Sequence, residues 1–146
     1  MGAITVANAL SESQANLWTL IRNNATVLAL TKNVLDGVPV GLTKGTGFPY
    51  VIVPTPAIVA GEWATFSKRT EFLVFKVEVY DRKESVLRSL VDAIRSVVDT
   101  NRSLFATSYG MYKYFNQSGD LSYAVQEDNS IVYTYTLTLR YEWWDC

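Results

Sequence analysis

The chain has 146 residues, 49% of them hydrophobic and 18% charged, with a formal net charge of −1. That length and apolar content suit one domain over residues 1–146 and exclude a mainly disordered chain. The near-neutral balance and a pI near 5.4 argue against a protein whose main work is gripping nucleic acid by charge.

Met1 to Leu10 is small and uncharged and lacks the basic and apolar regions of a signal peptide. Ser11 and Gln14 fit a capping box, and Ala15, Trp18, Ile21, Ala25 and Leu28 share one helical face, predicting a helix from Ser11 to Leu30. Asn23 and Asn24 are mediocre helix formers, so the C-terminal turn is the weaker half. Asp36 to Gly47 holds four glycines after Asp36 and one proline, Pro39, which is loop chemistry. Its run Gly41 to Gly47 lacks the Gly-Lys-Ser/Thr helix start of a phosphate loop, because Phe48-Pro49 leads into a strand.

Phe48 to Val53 reads as a short buried strand, closed by Pro54 and Pro56. Thr55 to Arg69 then reads as a connector that carries Ile58, Val59, Trp63 and Phe66 beside Gly61, Glu62, Lys68 and Arg69. A connector of that length and mixed polarity packs as a flap or binds something.

The strongest signal lies in Thr70 to Asn101. Leu73, Phe75, Val77 and Val79 alternate on one side of a strand, with Phe72, Val74, Lys76, Glu78 and Tyr80 on the other. The period then changes: Val86, Leu87, Leu90, Val91, Ile94, Val97 and Val98 form a helical stripe opposite Arg88, Asp92, Arg95 and Asp99. Leu104 to Phe115 predicts a strand bent at Gly110, Asn116 to Asp120 a turn, Leu121 to Gln126 a strand, and Glu127 to Ser130 another turn. Ile131 to Trp143 alternates throughout, as a half-solvated antiparallel strand does. The expected fold class is α+β: one twisted, mainly antiparallel sheet with two helices packed on the same face of it, the alternative being one on each side, in the order α-β-β-α-β-β-β.

Residues suited to catalysis are sparse. There is no histidine, which removes the commonest general base and metal ligand, and the lone cysteine, Cys146, has no partner for a disulfide or a metal. The carboxylates are scattered; Glu78 and Glu142 are a pair that could meet across a sheet, although solvated strand-face charges are the simpler account. The expectation is a non-enzymatic protein without cofactor or metal, soluble and made in a reducing cytoplasm. Three Asn-x-Ser/Thr sequons, at Asn24, Asn101 and Asn116, read as chance matches without a secretion signal. Seven of the nine tyrosines follow residue 105. They suit packing at cores and interfaces better than base stacking, since no RNA-recognition strand motif accompanies them.

Taken together, several features resemble the tail terminator, or tail completion, proteins of long-tailed bacterial and archaeal viruses. They are the strand Phe48 to Pro54 after a glycine-rich loop, the mixed connector, and the strand Phe72 to Tyr80 ending in Asp81-Arg82. The amphipathic helix Ser85 to Asp99, the N-terminal helix and the final alternating strand complete the pattern. The resemblance covers nearly the whole chain and is one of order, without a single diagnostic motif. Other head-tail connectors, minor tail proteins and non-viral α+β binding modules share the size and composition. The resemblance implies a virion protein of the tail or neck, assembled in the host cytoplasm as a ring, usually a hexamer. Such a ring caps the tail tube, ends its polymerisation and joins the head connector. Its implied partners are copies of itself, the tail tube protein and connector proteins, with DNA only passing through the lumen and no membrane. Under that reading, interface candidates are Ile58, Val59, Glu62, Trp63, Phe66, Lys68 and Arg69 in the connector, and Trp143 and Trp144 near the C-terminus.

Overall fold

In the computed structural model, residues 9–36, 48–65, 68–101, 113–127 and 129–145 are described. Helices α1 (Ala9–Arg22) and α2 (Ala25–Leu30) precede strands β1 (Asn33–Leu35), β2 (Tyr50–Ile52), β3 (Ala57–Thr65) and β4 (Lys68–Asp81). Helix α3 (Glu84–Thr100) and strands β5 (Lys113–Val125) and β6 (Ile131–Asp145) complete the order. Among the described residues the strands form a six-stranded sheet, β1-β2-β4-β6-β5, with β3 also paired to β4, and every pairing there is antiparallel except β1 with β2. The fold class is α+β, as the pattern predicts.

β4 and β6 lie in register from Arg69 opposite Asp145 to Asp81 opposite Tyr133. This pairing puts Leu73 beside Tyr141, Phe75 beside Leu139, Val77 beside Leu137 and Val79 beside Tyr135 on one face. Helix α3 covers that face with Leu87, Leu90, Ile94 and Val98, all fully buried. The α1 and α2 residues Leu17, Ile21 and Val27 join the same cluster, so the helices share one side of the sheet and the core is a single layer between them. Phe75 and Tyr141 meet edge to face inside it, with ring centroids 6.0 Å apart.

The predicted single N-terminal helix is two. At Asn23–Asn24 the backbone leaves the helix, and the Asn24 side chain accepts hydrogen bonds from the Thr26 and Val27 amides at 3.0 and 3.2 Å, capping α2. The break shifts the helical phase, so Val27 faces the core while Leu28 is exposed. The capping box predicted at Ser11 and Gln14 does not form, since α1 already begins at Ala9. Gln14 instead donates to the Val53 and Asp36 carbonyls at 3.0 and 3.3 Å, and the Trp18 indole N–H donates to the Val34 carbonyl at 3.0 Å. Both side chains pin α1 to the β1–β2 end of the sheet.

Two further expectations are corrected. The predicted connector is mostly strand: β3 and the first residues of β4 form a hairpin arm, with Ala57 opposite Val74 and Thr65 opposite Lys68. β2 and β3 both lie along β4, and Val53 to Pro56 separates them because its two prolines cannot continue the ladder. The turn predicted over Asn116 to Asp120 is instead continuous strand, paired with Thr136 to Arg140. Gly119 lies beneath the Tyr135 ring, where a Cβ would come within 2.1 Å of the phenol oxygen, so glycine here makes room for an aromatic neighbour rather than a turn. The bend expected at Gly110 lies outside the described residues. The turn expected over Glu127 to Ser130 is present, with Asn129 in the left-handed region at φ 66° and Gln126 N–H donating to Ser130 O at 2.8 Å.

Ile94→Ala or Leu90→Ala removes a side chain with no exposed surface. Each is expected to destabilise the fold by about 2–5 kcal/mol in equilibrium urea unfolding, whereas a loss below about 1 kcal/mol would contradict this packing.

Candidate functional surface

The residues singled out from the sequence converge on one end of the sheet. Trp63 lies opposite Arg69 in the hairpin arm, and Arg69 lies opposite Asp145 on the other side. Trp143 and Trp144 are opposite Glu71 and Thr70. β3, β4 and β6 therefore run side by side at this end and bring both candidate segments, distant in sequence, into one three-stranded ribbon. Ile58 and Val59, at the base of the arm, are 45% and 40% exposed. Glu62 lies where the β3–β4 register shifts, between Ala60 and Trp63, and Lys68 opens β4. Phe66 is outside the described residues.

A bulge in this arm has a local cause. Between the Ala60–Glu71 and Trp63–Arg69 pairs, β3 has two intervening residues, Gly61 and Glu62, and β4 has only Thr70. An extra residue on one strand increases the twist and turns the distal ribbon relative to the sheet.

The face of the sheet away from the helices is mixed. Tyr50 and Tyr80 stack with centroids 4.7 Å apart, Phe48 packs on Tyr50 at 5.1 Å, and the Arg82 guanidinium lies 5.5 Å from the Phe48 ring. The Tyr80 hydroxyl donates to the Glu78 carboxylate. Burial, then that carboxylate, pushes the Tyr80 phenol well above its ordinary value of 10.0, and burial together with the Glu78 charge also raises Tyr50. Farther along, the Arg140 guanidinium lies 4.6 Å from the Phe72 ring, a cation–π contact across β4 and β6. Glu78 and Glu142 do not face each other: Glu78 is opposite Thr136, and Glu142 is opposite Phe72. The register thus separates the only carboxylate pair the sequence suggested.

Sequence reasoning missed a second exposed surface. Leu121, Tyr123, Val125 and Ile131, where β5 and β6 run past the helices, are 38% to 68% exposed. The alternating Leu121-Ser-Tyr123-Ala-Val125 was the available signal, but reading Asn116 to Asp120 as a turn concealed that it belongs to one long strand.

Among the described residues, no group of three or more His, Cys, Asp or Glu side chains is placed to hold a metal ion. No described helix is long and apolar enough to cross a membrane.

No protein-family model and no curated protein sequence matches the chain. Its fold is similar to that of a chain in the virion of a native gene transfer agent particle, with a TM-score of 0.58 and 17% sequence identity. The likeness spans 88% of this chain and 93% of that one. At that identity, what the two share is the fold.

The Tyr80 environment gives a pH test. A phenol held above its ordinary value stays protonated where the unfolded chain's phenols ionise. Its contribution to stability is therefore intact below about pH 10 and is lost progressively as pH rises. Tyr80→Phe is expected to flatten the decline of the urea midpoint above that pH; an unchanged slope would contradict the Tyr80–Glu78 contact.

Proposed function

We propose that this chain is a virion structural protein whose copies form a ring that caps the tail tube, ends its polymerisation and joins the tail to the head connector. The observation that carries the proposal is the fold likeness to a virion chain over nearly the full length of both proteins. The order of elements that resembles tail terminator proteins supports the same reading. The role is non-enzymatic and needs no cofactor. Its partners are other copies in a ring of six, the tube protein, the connector proteins and the DNA that passes through the lumen. A net charge of −1 suits such a conduit, because a strongly basic lining would retain phosphates.

A ring requires a heterologous contact, one patch on each copy fitting a different patch on the next. The hairpin arm and the β6 end beside it supply one such patch and a surface for the tube. Trp63 and Phe66 serve there as apolar anchors, as aromatic side chains do at interfaces.

Electron microscopy of particles assembled without this protein tests the proposal. Tails of uncontrolled length, or tails detached from heads, are expected; normal particles would overturn it. Adding back the Trp63→Ala, Phe66→Ala double variant as folded protein is expected to leave the defect unrepaired. Full restoration would remove the anchor role from those two residues.

A further inference from the structure

Among the described residues, the sheet has two long unpaired edges. Among the described residues β3 pairs only with β4, and β5 pairs only with β6, leaving outer edges of nine and thirteen residues. Edge strands are ordinarily kept from pairing by shortness, charge, proline or a covering element. Five of the described edge positions are nevertheless apolar and exposed, Ile58 and Val59 on β3 and Leu121, Tyr123 and Val125 on β5, with Ser118, Asp120 and Ser122 as the polar positions among them.

The two edges are complementary in three respects. Ile58 lies opposite Leu73, Leu121 opposite Tyr135, and Tyr123 opposite Tyr133, so these apolar residues all occupy the helix side of the sheet. Continuing the sheet from one edge onto the other would place them on a common face. Both edges are long enough for a stable ladder, whereas β1 offers only three residues. The directions also match. β3 is antiparallel to β4, β4 to β6 and β6 to β5, so β3 and β5 run opposite ways. Rotation about an axis lying along the strands preserves their direction, so β5 of one copy meets β3 of the next as an antiparallel pair.

We infer that the β5 edge is an assembly edge, which takes the β3 edge of a second copy of this chain and continues the sheet from subunit to subunit. The inference rests on the ring reading in one respect, that copies associate head to tail. It adds a contact at the β5 edge, which the sequence-based interface did not include.

Paired cysteines test it. In a Cys146→Ser background, Ile58→Cys is combined in turn with Leu121→Cys, Tyr123→Cys and Val125→Cys. The purified proteins, alone and bound to isolated tail tubes, are oxidised and resolved by non-reducing denaturing electrophoresis. The two edges are three strand spacings apart within one copy, roughly 14 Å, too far for an internal disulfide. At least one double variant is expected to give a ladder of dimers, trimers and larger species, while each single-cysteine variant stays monomeric. Absence of a ladder from every pair would overturn the inference, and so would a discrete dimer from Tyr123→Cys alone, which would mean that β5 pairs with itself. A Tyr123→Lys, Val125→Lys variant that still restores tail length in particles lacking the protein would also sink the edge assignment while leaving the ring reading intact. Loss of the ladder and normal particles on deletion are separate results, so the two proposals fail separately.

Discussion

Thirteen consecutive residue pairs join β4 to β6, and most of the molecule follows from that ladder. It sets which side chains of both strands face α3, because a slip of one residue would put Leu73, Phe75, Val77 and Val79 on the opposite face from Leu137, Leu139 and Tyr141. Burying those seven apolar side chains on one face is worth roughly 1.5–3 kcal/mol each before chain entropy is subtracted, enough to hold one register against its neighbours. The connection into α3 is short. Asp81, at the last position of the ladder, is buried, and its carboxylate accepts the Lys83 amide at 3.2 Å just before the helix begins. The helix is therefore delivered onto the face that the ladder has already prepared.

The same ladder extends past the part that the helices cover. β4 and β6 remain paired to Arg69 and Asp145, and β3 joins them there, so one end of the sheet is a ribbon of strands. At the other end β5 follows β6 back to Val125 with Leu121, Tyr123 and Val125 exposed. A domain that needed only to fold would gain little from strands that outrun their core, since exposed edges invite association. Those overhangs are the parts of this structure that make sense as contacts with other chains, which is why both functional proposals are placed on them and neither on the β4–α3 core.

How much of this was legible in the sequence depended on burial. Thr70 to Asn101 and Ile131 to Trp143 could be read because one face of each element is packed, and packing imposes a period. β1 is three residues long and paired in parallel with β2, too short to leave a pattern. β5 was divided in two because Asn116, Ser118, Gly119 and Asp120 are turn-forming types. In the fold they are held extended by their pairing with β6, a partner that no local window reveals. The arm at Ala57 to Thr65 reads as a connector because Pro54 and Pro56 precede it and Gly61 interrupts its alternation, and its pairing with β4 is likewise invisible locally. The interface candidates in that arm and at Trp143–Trp144 are distant in sequence; that they lie side by side is a product of the β3–β4 and β4–β6 registers.

Native-state hydrogen exchange on the intact chain tests this hierarchy most directly. If the β4–β6 ladder under α3 holds the molecule together, amides from Leu73 to Val79 and from Tyr135 to Tyr141 exchange only by global unfolding, while β5 beyond Ser118 and the β3 arm exchange by lower-energy local openings. Equal protection across all six strands, or slower exchange in β5 than in β4, would contradict it.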